Sequence, residues 1–222
     1  YNRGTEKRKI FLDNADYLRG VHDLYEFNDV KAVINLHQRI NRSSTAINVI
    51  NINRPREKLI RLGVWSFMPN HYHLFSCPIV DNGLPKFHQK FGGGYTWFFN
   101  AKYKRNGVLF QGRYKKVLVD NDTQALHLIC YIHANPLDLW KPNWKEKGLT
   151  NSEIKDALEF LEKKHRWSSH LDWWGIKNFP SLIDANFIHR FFKTSAEYRE
   201  FFTNWLRFYS KNIEGIQKLI LE

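Results

Sequence analysis

Sulfur-containing residues are scarce in this chain, whose 222 residues include two cysteines and one methionine. Cys77 and Cys130 each lie in an apolar stretch, and neither belongs to a Cys-x-x-Cys spacing. This pattern excludes a disulfide framework and a zinc ribbon as the basis of the fold. We expect both cysteines to be small buried hydrophobic residues of a protein that works in a reducing cytosol.

Long apolar segments are also missing. No run approaches the ~20 apolar residues that a transmembrane helix needs. No positively charged start followed by an apolar segment marks a secretory signal. We therefore expect a cytoplasmic protein that does not enter a membrane. The sequence opens at Tyr1 rather than at a methionine, so we expect a trimmed or truncated start, and part of a first strand could precede it.

Acidic residues are the third deficit. The chain has 22 Asp and Glu against 34 Lys and Arg, which gives a formal net charge of +12 and a pI of about 9.7. A strongly basic chain favours a polyanionic partner. Nucleic acid is preferred over an acidic membrane surface, because the basic residues are spread along the chain rather than gathered on one amphipathic segment. The Gly-rich, Lys-containing loop that cradles nucleotide phosphates is absent, so no nucleotide cofactor is expected.

Two local patterns predict how the N-terminal part folds. Asp13 or Asn14 caps a run with apolar residues at three-to-four spacing, which predicts an amphipathic helix. The residues Met68, Pro69 and Asn70 separate two apolar runs, which predicts a β-hairpin. A hairpin beside a helix already favours a mixed α and β structure.

Helices and strands continue to alternate up to about residue 140. We predict a helix over 83–105, a strand over 113–119 and a helix over 120–135. The stretch 28–58 is ambiguous: 30–40 fits either a helix or a strand, and 41–57 fits a loop and a strand edge. The triplet at 92–94 is either a helix break or a close approach to another backbone, since each glycine costs roughly 1 kcal/mol of helix stability. The order of elements indicates an α+β fold with an antiparallel sheet, followed by a helical C-terminal extension.

Two histidines share one face of the second hairpin strand. Successive strand side chains point to opposite faces, so His71 and His73 project together while Tyr72 points into the body of the protein. Neutral imidazoles are common metal ligands, and two on one face form half of a site for a divalent ion. The alternative is a pair of histidines at a strand start that bind no metal.

A second polar group lies near the end of the predicted helix over 120–135. Tyr131 and Asn135 are one turn apart and share a face. The phenol is a candidate nucleophile, and the amide oxygen can join two imidazoles around a hard ion such as Mg²⁺ or Mn²⁺. His127, one turn before Tyr131, could assist the phenol, whereas His133 faces elsewhere and is interpreted as structural. The alternatives are a packed core tyrosine and a helix cap.

The histidine pair, the phenol and the amide together suggest metal-assisted attack of a tyrosine on a phosphodiester. A phenol has an ordinary pKa of about 10, so it needs a base or a cation that stabilises the phosphate before it can attack at neutral pH. Tyr95, Tyr103 and Tyr114 are weaker candidates, because they lack a paired ligand one turn away.

Basic and aromatic residues alternate between positions 102 and 116. Such a mixture suits contact with phosphates and stacking on bases. The alternative is a solvated basic face. The predicted DNA-binding residues of this stretch are Lys102, Lys104, Arg105, Arg113, Tyr114, Lys115 and Lys116.

Four separated motifs, in this order and spacing, resemble those of one enzyme family. They are MPNHYHLF, YTWFFNAKYKRNGVLFQGRYKKVLV, YIHANP and HRWSSHLDWWG. The chain resembles the REP-associated tyrosine transposases, a branch of the single-tyrosine HUH transposases. The opening Tyr1-Asn2-Arg3-Gly4 is also similar to the start of that family, so the resemblance runs from the first residues to about residue 175.

The resemblance implies a fold and a reaction. The fold is a ferredoxin-like antiparallel sheet flanked by helices in residues 1–140, with the helical extension 141–222 packed on it and assisting DNA binding. Family members cut single-stranded DNA at or near imperfect hairpins and leave a 5′-phosphotyrosine and a free 3′-hydroxyl. Two features depart from the family: the aromatic Tyr72 between the histidines and the long insertion 141–165.

The resemblance also implies roles for single residues. His71 and His73 match the paired metal ligands, Tyr131 matches the nucleophile, and Asn135 matches the polar residue that helps to hold Mg²⁺ or Mn²⁺. Arg3, in the motif at the start, joins the predicted DNA contacts. A monomer is favoured because of the large extension, and a dimer is the alternative, since related enzymes build the site within one subunit or between two.

The sequence therefore predicts a metal-dependent enzyme that nicks and joins single-stranded or hairpin DNA. One rival is a hairpin DNA-binding protein that does not cut. The other is a phosphoesterase whose histidine-bound metal activates water, which needs no tyrosine nucleophile.

Overall fold

The computed structural model describes residues 1–32 and 56–212. Most of the ambiguous stretch 28–58 therefore lies outside the described residues, as does the end of the chain. The helices and strands, in chain order, are β1 (Asn2–Arg3), α1 (Asn14–Glu26), β2 (Ile60–Met68), β3 (His71–Pro78), α2 (Gly83–Lys102), α3 (Asp122–Ala134), α4 (Trp144–Lys147), α5 (Asn151–Lys163), α6 (His170–Trp174), α7 (Ala185–Phe191) and α8 (Ser195–Lys211).

The described residues form a small antiparallel sheet in the order β1-β3-β2. Strands β2 and β3 are the predicted hairpin, with Met68 opposite His71 across the turn. Strand β1 pairs with the other edge of β3, so that Asn2 faces Tyr72 and Arg3 faces His71. The strand that carries the histidines is thus the central one, and the predicted α+β class with an antiparallel sheet is confirmed.

Helices cover both faces of this sheet, because the side chains of β2 alternate between two apolar clusters. Trp65 and Phe67 pack with α1 and α2 on one face. Val64 packs on the other face, with α3 and the helices that follow residue 140. The helical part of the predicted extension that the structure describes therefore shares an apolar core with α3 and β2.

Helix α1 begins where the capping pattern predicts. The side chain of Asp13 accepts a hydrogen bond from the backbone N–H of Asp16, which satisfies one of the free donors of the first turn. Helix α3 begins in the same way at Asn121, whose side chain accepts from the backbone N–H of Gln124. Both helix starts are therefore determined by short polar side chains in the sequence.

The stretch 113–119, predicted to be a strand, is not one in the structure. Lys115 and Tyr1 exchange backbone hydrogen bonds in both directions, at 2.8 and 2.9 Å, but the pairing does not extend along the segment as a strand. The physical reason is exposure: Leu118 is 85% exposed and its neighbour Val117 is 44% exposed, so neither face of this extended segment is buried. The strand prediction was wrong because alternation alone does not provide a partner strand.

The cysteines differ from each other. Cys130 is fully buried, as predicted, and burial raises its pKa well above the ordinary thiol value. Cys77 is only half-buried, near the end of β3.

None of the helices in the two described ranges combines the length and apolarity that crossing a membrane takes.

Candidate active site

Strand β3 presents His71 and His73 on one face and Tyr72 on the other, as the alternation predicts. The two imidazole rings lie 4.9 Å apart between centroids, nearly perpendicular to each other. Both rings are buried, at 9% and 7% exposure. Tyr72 packs in the opposite cluster against Phe91, so it holds the strand in place. The unusual aromatic residue between the histidines therefore has a packing role.

Both imidazoles are neutral at physiological pH. Burial, together with the smaller effects of the nearby Arg3 and Lys145 charges, lowers the pKa of His71 to about 3. Burial likewise holds the pKa of His73 well below its ordinary value, and His71, Lys145 and Arg3 add to the effect. A neutral imidazole has a free nitrogen lone pair, which is the form that binds a metal ion.

Helix α3 brings Tyr131 to these histidines. The rings of Tyr131 and His73 lie 6.5 Å apart between centroids at 88°, an edge-to-face arrangement. Both residues line a cleft of about 700 Å³. Two segments that are separate in the sequence thus form one wall, and the phenol of the predicted nucleophile lies beside the predicted metal ligands.

Asn135 follows the last turn of α3 and is 1% exposed. Its side-chain oxygen accepts a hydrogen bond of 2.8 Å from the Nζ of Lys145. Its Nδ2 atom is buried and makes no hydrogen bond within the part of the chain that the structure describes. Lys145 also lies over the Tyr131 ring, 4.7 Å from its centroid, so Tyr131 and Asn135 contact the same ammonium group, in agreement with a shared helix face.

Sequence reasoning missed Lys145. This residue lies on the four-residue helix α4 and pairs with Asp138 at 2.9 Å. It belongs to the stretch treated as an insertion, where no residue spacing relates it to the histidines or to Tyr131. That Lys145 lies near Tyr131 and Asn135 could be found only from the way the chain folds back after α3.

The donor set fits a divalent ion that also binds phosphate oxygens. Two neutral imidazoles and one amide oxygen are ligands that Mn²⁺ accepts, and hard ions commonly complete their shell with water and substrate phosphate. The ranges 1–32 and 56–212 contain no group of three or more His, Cys, Asp or Glu side chains able to hold a metal ion. A metal ion at His71 and His73 would therefore need a ligand of another residue type, and Asn135 is the predicted one.

Part of the predicted DNA-binding set lines the same cleft. Tyr114, Lys115 and Lys116 contribute to its wall, and the Tyr114 ring stacks on His88 with 3.8 Å between centroids. Arg3 pairs with His71 across the β1–β3 ladder and is half-buried. Tyr114, Lys115 and Lys116 thus lie along the cleft that His73 lines, and Arg3 lies beside His71.

The remaining members of that set lie in other surroundings. Lys102 forms ion pairs of 2.8 and 2.7 Å with Asp13 and Asp16 on α1. Arg105 donates to the side chain of Asn100 at 2.6 Å. Lys104 and Arg113 are exposed. The basic stretch therefore does not form one surface, because its first part is held against α1.

The other tyrosines and His127 have different contacts. Tyr95 is fully buried, and its hydroxyl donates to the backbone oxygen of Ile10 at 2.6 Å. Tyr103 donates to Asp16 at 2.8 Å. The Nδ1 atom of His127 accepts a hydrogen bond of 2.9 Å from Trp205 on α8, so this predicted assisting residue contacts the C-terminal helix. The residues of α3 that line the cleft are Asp122, Gln124, Ala125, Leu128, Tyr131 and Ile132.

No family model, curated protein or solved structure matches this chain. The argument for function consequently comes from the site itself. It consists of a phenol and a neutral imidazole at the wall of one cleft, with a second neutral imidazole, an amide oxygen and an ammonium group beside them.

Proposed function

We propose that this protein is a metal-dependent endonuclease and strand transferase of single-stranded DNA, with Tyr131 as its nucleophile. The DNA is a strand that forms hairpins, and the reaction passes through a 5′-phosphotyrosine. The observation that carries the proposal is the 6.5 Å between the ring centroids of Tyr131 and His73 in a shared cleft. A nucleophile beside paired neutral imidazoles is the arrangement that metal-assisted phosphoryl transfer needs.

His71, His73 and Asn135 would hold the ion. A bound Mg²⁺ or Mn²⁺ withdraws charge from a non-bridging phosphate oxygen and holds the phosphate in line with its attacker. The histidines contribute without competing protonation, since burial keeps the pKa of His71 near 3. The phenol of Tyr131 is close to these ligands, since its ring lies 6.5 Å from that of His73 between centroids.

The reaction exchanges one phosphate ester for another. The Tyr131 oxygen loses its proton and forms a bond to phosphorus, while the bond from phosphorus to the 3′ oxygen breaks and that oxygen takes up a proton. The 5′ phosphate stays on the protein, and the free 3′-hydroxyl, or that of another strand, can attack it to restore a diester. No nucleotide cofactor is required, because the phosphotyrosine keeps the energy of the broken bond.

The walls of the cleft support a strand of DNA as the substrate. Lys115 and Lys116 supply positive charge, and the stacked rings of Tyr114 and His88 offer an aromatic platform. Cations and rings side by side suit backbone phosphates and unpaired bases. The net charge of +12 agrees with such a partner, which we expect the protein to meet in the cytoplasm.

We further propose that the sheet is the central part of a ferredoxin-like HUH fold. In support, the strand with the histidines is central in the order β1-β3-β2. Helix α3, which carries Tyr131, packs on the face of the sheet opposite to α1 and α2. A ferredoxin-like sheet has four strands, and the sheet of the described residues has three. The REP-associated tyrosine transposases are the family that this arrangement resembles.

The test is formation of a covalent adduct. Hairpin oligonucleotides with randomised single-stranded flanks, labelled at the 3′ end, are incubated with the protein and Mn²⁺ and separated on a denaturing gel. We expect a labelled band that migrates with the protein, since the 3′ part of the strand carries the 5′ phosphate. Tyr131→Phe abolishes this band, and Tyr103→Phe, which removes a hydroxyl bound to Asp16, leaves it intact.

The two alternative functions predict different results in this assay. A protein that only binds hairpins gives salt-sensitive retention and no adduct with any metal. A phosphoesterase that uses water gives shortened strands without an adduct, and its turnover survives Tyr131→Phe. An adduct that persists in Tyr131→Phe contradicts the assignment of the nucleophile.

A further inference from the structure

The ammonium group of Lys145 lies where a metal ion would need space. Its Nζ atom is 2.8 Å from the Asn135 oxygen, the same atom that the proposed ion would use. It is 4.7 Å from the centroid of the Tyr131 ring, and its charge reaches both histidines. A cation of the protein itself is thus present among the proposed metal ligands.

This lysine is held by its surroundings. Its side chain is 20% exposed and pairs with Asp138 at 2.9 Å. The preceding residue, Trp144, is fully buried and packs on Tyr209 of α8 with 5.1 Å between ring centroids. The Tyr209 hydroxyl donates to the backbone oxygen of Lys145 at 3.3 Å. The C-terminal helix therefore fixes the short helix α4 and directs Lys145 to the site.

A divalent ion and this ammonium group oppose each other. A metal binds an amide oxygen at about 2.0–2.6 Å, so with Lys145 still bound to the same oxygen the two cations would be at most about 5 Å apart. The carbonyl oxygen has two lone pairs, but repulsion between a double and a single positive charge at that distance is strong in a partly buried site. Binding of one cation must weaken binding of the other.

We propose that Lys145 competes with the divalent ion for the Asn135 oxygen, so that the ion binds fully only when the Lys145 ammonium group moves away from this oxygen. This inference rests on the proposed function, because it concerns the ion of the same site. It adds a consequence: without DNA the site holds its own cation and binds metal weakly. A phosphate oxygen beside Tyr131 offers the displaced ammonium a new partner, so the strand and the ion favour each other's binding.

The first test is a titration with Mn²⁺ alone, in which free Mn²⁺ is followed by its paramagnetic resonance signal. Removing the competing charge with Lys145→Met should lower the Mn²⁺ dissociation constant by about tenfold or more. Lys145→Arg keeps the charge and should stay near the original value. Lys147→Met changes an exposed lysine of the same helix and serves as the matched control.

The second test uses the unmodified protein and therefore does not depend on how a variant folds. If the ion displaces Lys145, its amine becomes more reactive when Mn²⁺ is added, by the reciprocity of linked equilibria. Brief acetylation followed by mass spectrometry of the peptide that contains both lysines measures this, with Lys147 as the internal reference. We expect Mn²⁺ to increase acetylation of Lys145 several-fold and that of Lys147 not at all.

Equal Mn²⁺ dissociation constants for the unmodified protein and Lys145→Met would overturn the competition, as would an unchanged reactivity of Lys145. Absence of saturable Mn²⁺ binding in both proteins would overturn it as well. The covalent-adduct assay reports separately on the proposed function. Adducts together with equal constants reject only the competition, and a tighter constant without any adduct rejects only the DNA reaction.

Discussion

Single buried polar residues connect the C-terminal helices to the sheet. The Tyr198 hydroxyl lies 2.7 Å from Nδ1 of His133 and 2.9 Å from Nδ1 of His170. The other nitrogen of His133 lies 2.8 Å from the Ser169 hydroxyl, which in turn bonds the backbone of Trp65 in β2. One direction of donation satisfies the chain: His170 donates to Tyr198, Tyr198 to His133, His133 to Ser169 and Ser169 to the Trp65 oxygen. The interpretation of His133 as structural agrees with this network.

Tyr198→Phe should destabilise the protein more than an ordinary loss of a hydroxyl. The change leaves Nδ1 of both His133 and His170 buried without this partner, and each such group costs roughly 1–3 kcal/mol. Urea unfolding followed by tryptophan fluorescence measures the loss. The control is Tyr17→Phe, at a half-buried tyrosine whose ring stacks on Phe11, where we expect a small effect. Equal effects of the two changes would contradict the network.

The element that most needed the structure for its interpretation is helix α2. Its three glycines at 92–94 do not break it, because the helix is continuous from Gly83 to Lys102. A Cβ atom added to Gly94 would lie 2.2 Å from the ring of Phe27, which closes on the helix backbone there. A Cβ atom added to Gly93 would meet nothing within 4 Å. Both predicted alternatives were therefore wrong: the helix does not break, and the group that approaches it closely is the Phe27 side chain at one glycine of the three, not another backbone.

Adjacent alanine substitutions in α2 should have opposite effects. Gly93→Ala should stabilise the protein by about 1 kcal/mol, since alanine is the better helix former and has space. Gly94→Ala should destabilise it by roughly 1–3 kcal/mol, because the methyl group must displace the buried Phe27 ring. Thermal unfolding of the two variants checks this. Stabilisation by both would show that Phe27 does not constrain the helix.

At the scale of the whole molecule, both faces of the sheet bury neutral histidines. Burial lowers the pKa of His165 to about 4 and that of His170 to about 3. On the other side of the sheet, His88 stacks against the Tyr114 ring, and burial lowers the pKa of His88 to about 3. In the unfolded chain these groups have the ordinary value of about 6.5. These histidines therefore bind protons at a higher pH in the unfolded chain than in the folded protein.

We therefore expect acid to destabilise the protein. Above about pH 6.5 the histidines are neutral in both states and their full contribution is present. Between 6.5 and the lowered values only the unfolded chain binds protons, so the free energy of unfolding falls by about 1.4 kcal/mol per pH unit for each group. Urea midpoints from pH 8 to pH 5 measure the slope.

A matched pair of variants isolates one of these groups. His165→Leu removes a buried imidazole. It should reduce the slope of the unfolding free energy against pH by about 1.4 kcal/mol per pH unit, which is the contribution of one proton. His189→Gln changes an exposed histidine and serves as the matched control. An unchanged slope in His165→Leu would mean that His165 takes up its proton equally in both states.

Local patterns in the sequence predicted the helix that starts at Asp13, the hairpin and the common face of His71 and His73. These features depend on neighbours in the chain: strand alternation and side-chain caps act over a few residues. They were sufficient to name the strand and the helix that form the candidate site. The fold class followed from their order along the chain.

Tertiary packing decided which distant groups meet. Tyr1 and Lys115 pair across 114 positions, and Lys102 is drawn to α1 by two carboxylates rather than joining the cleft. Lys145 reaches Tyr131 because α8 supports the short helix beneath it. The sequence by itself therefore determined the elements and the facing of their side chains. Only the tertiary structure determined the cation beside the phenol, since that contact depends on the packing of helices whose partners no local spacing specifies.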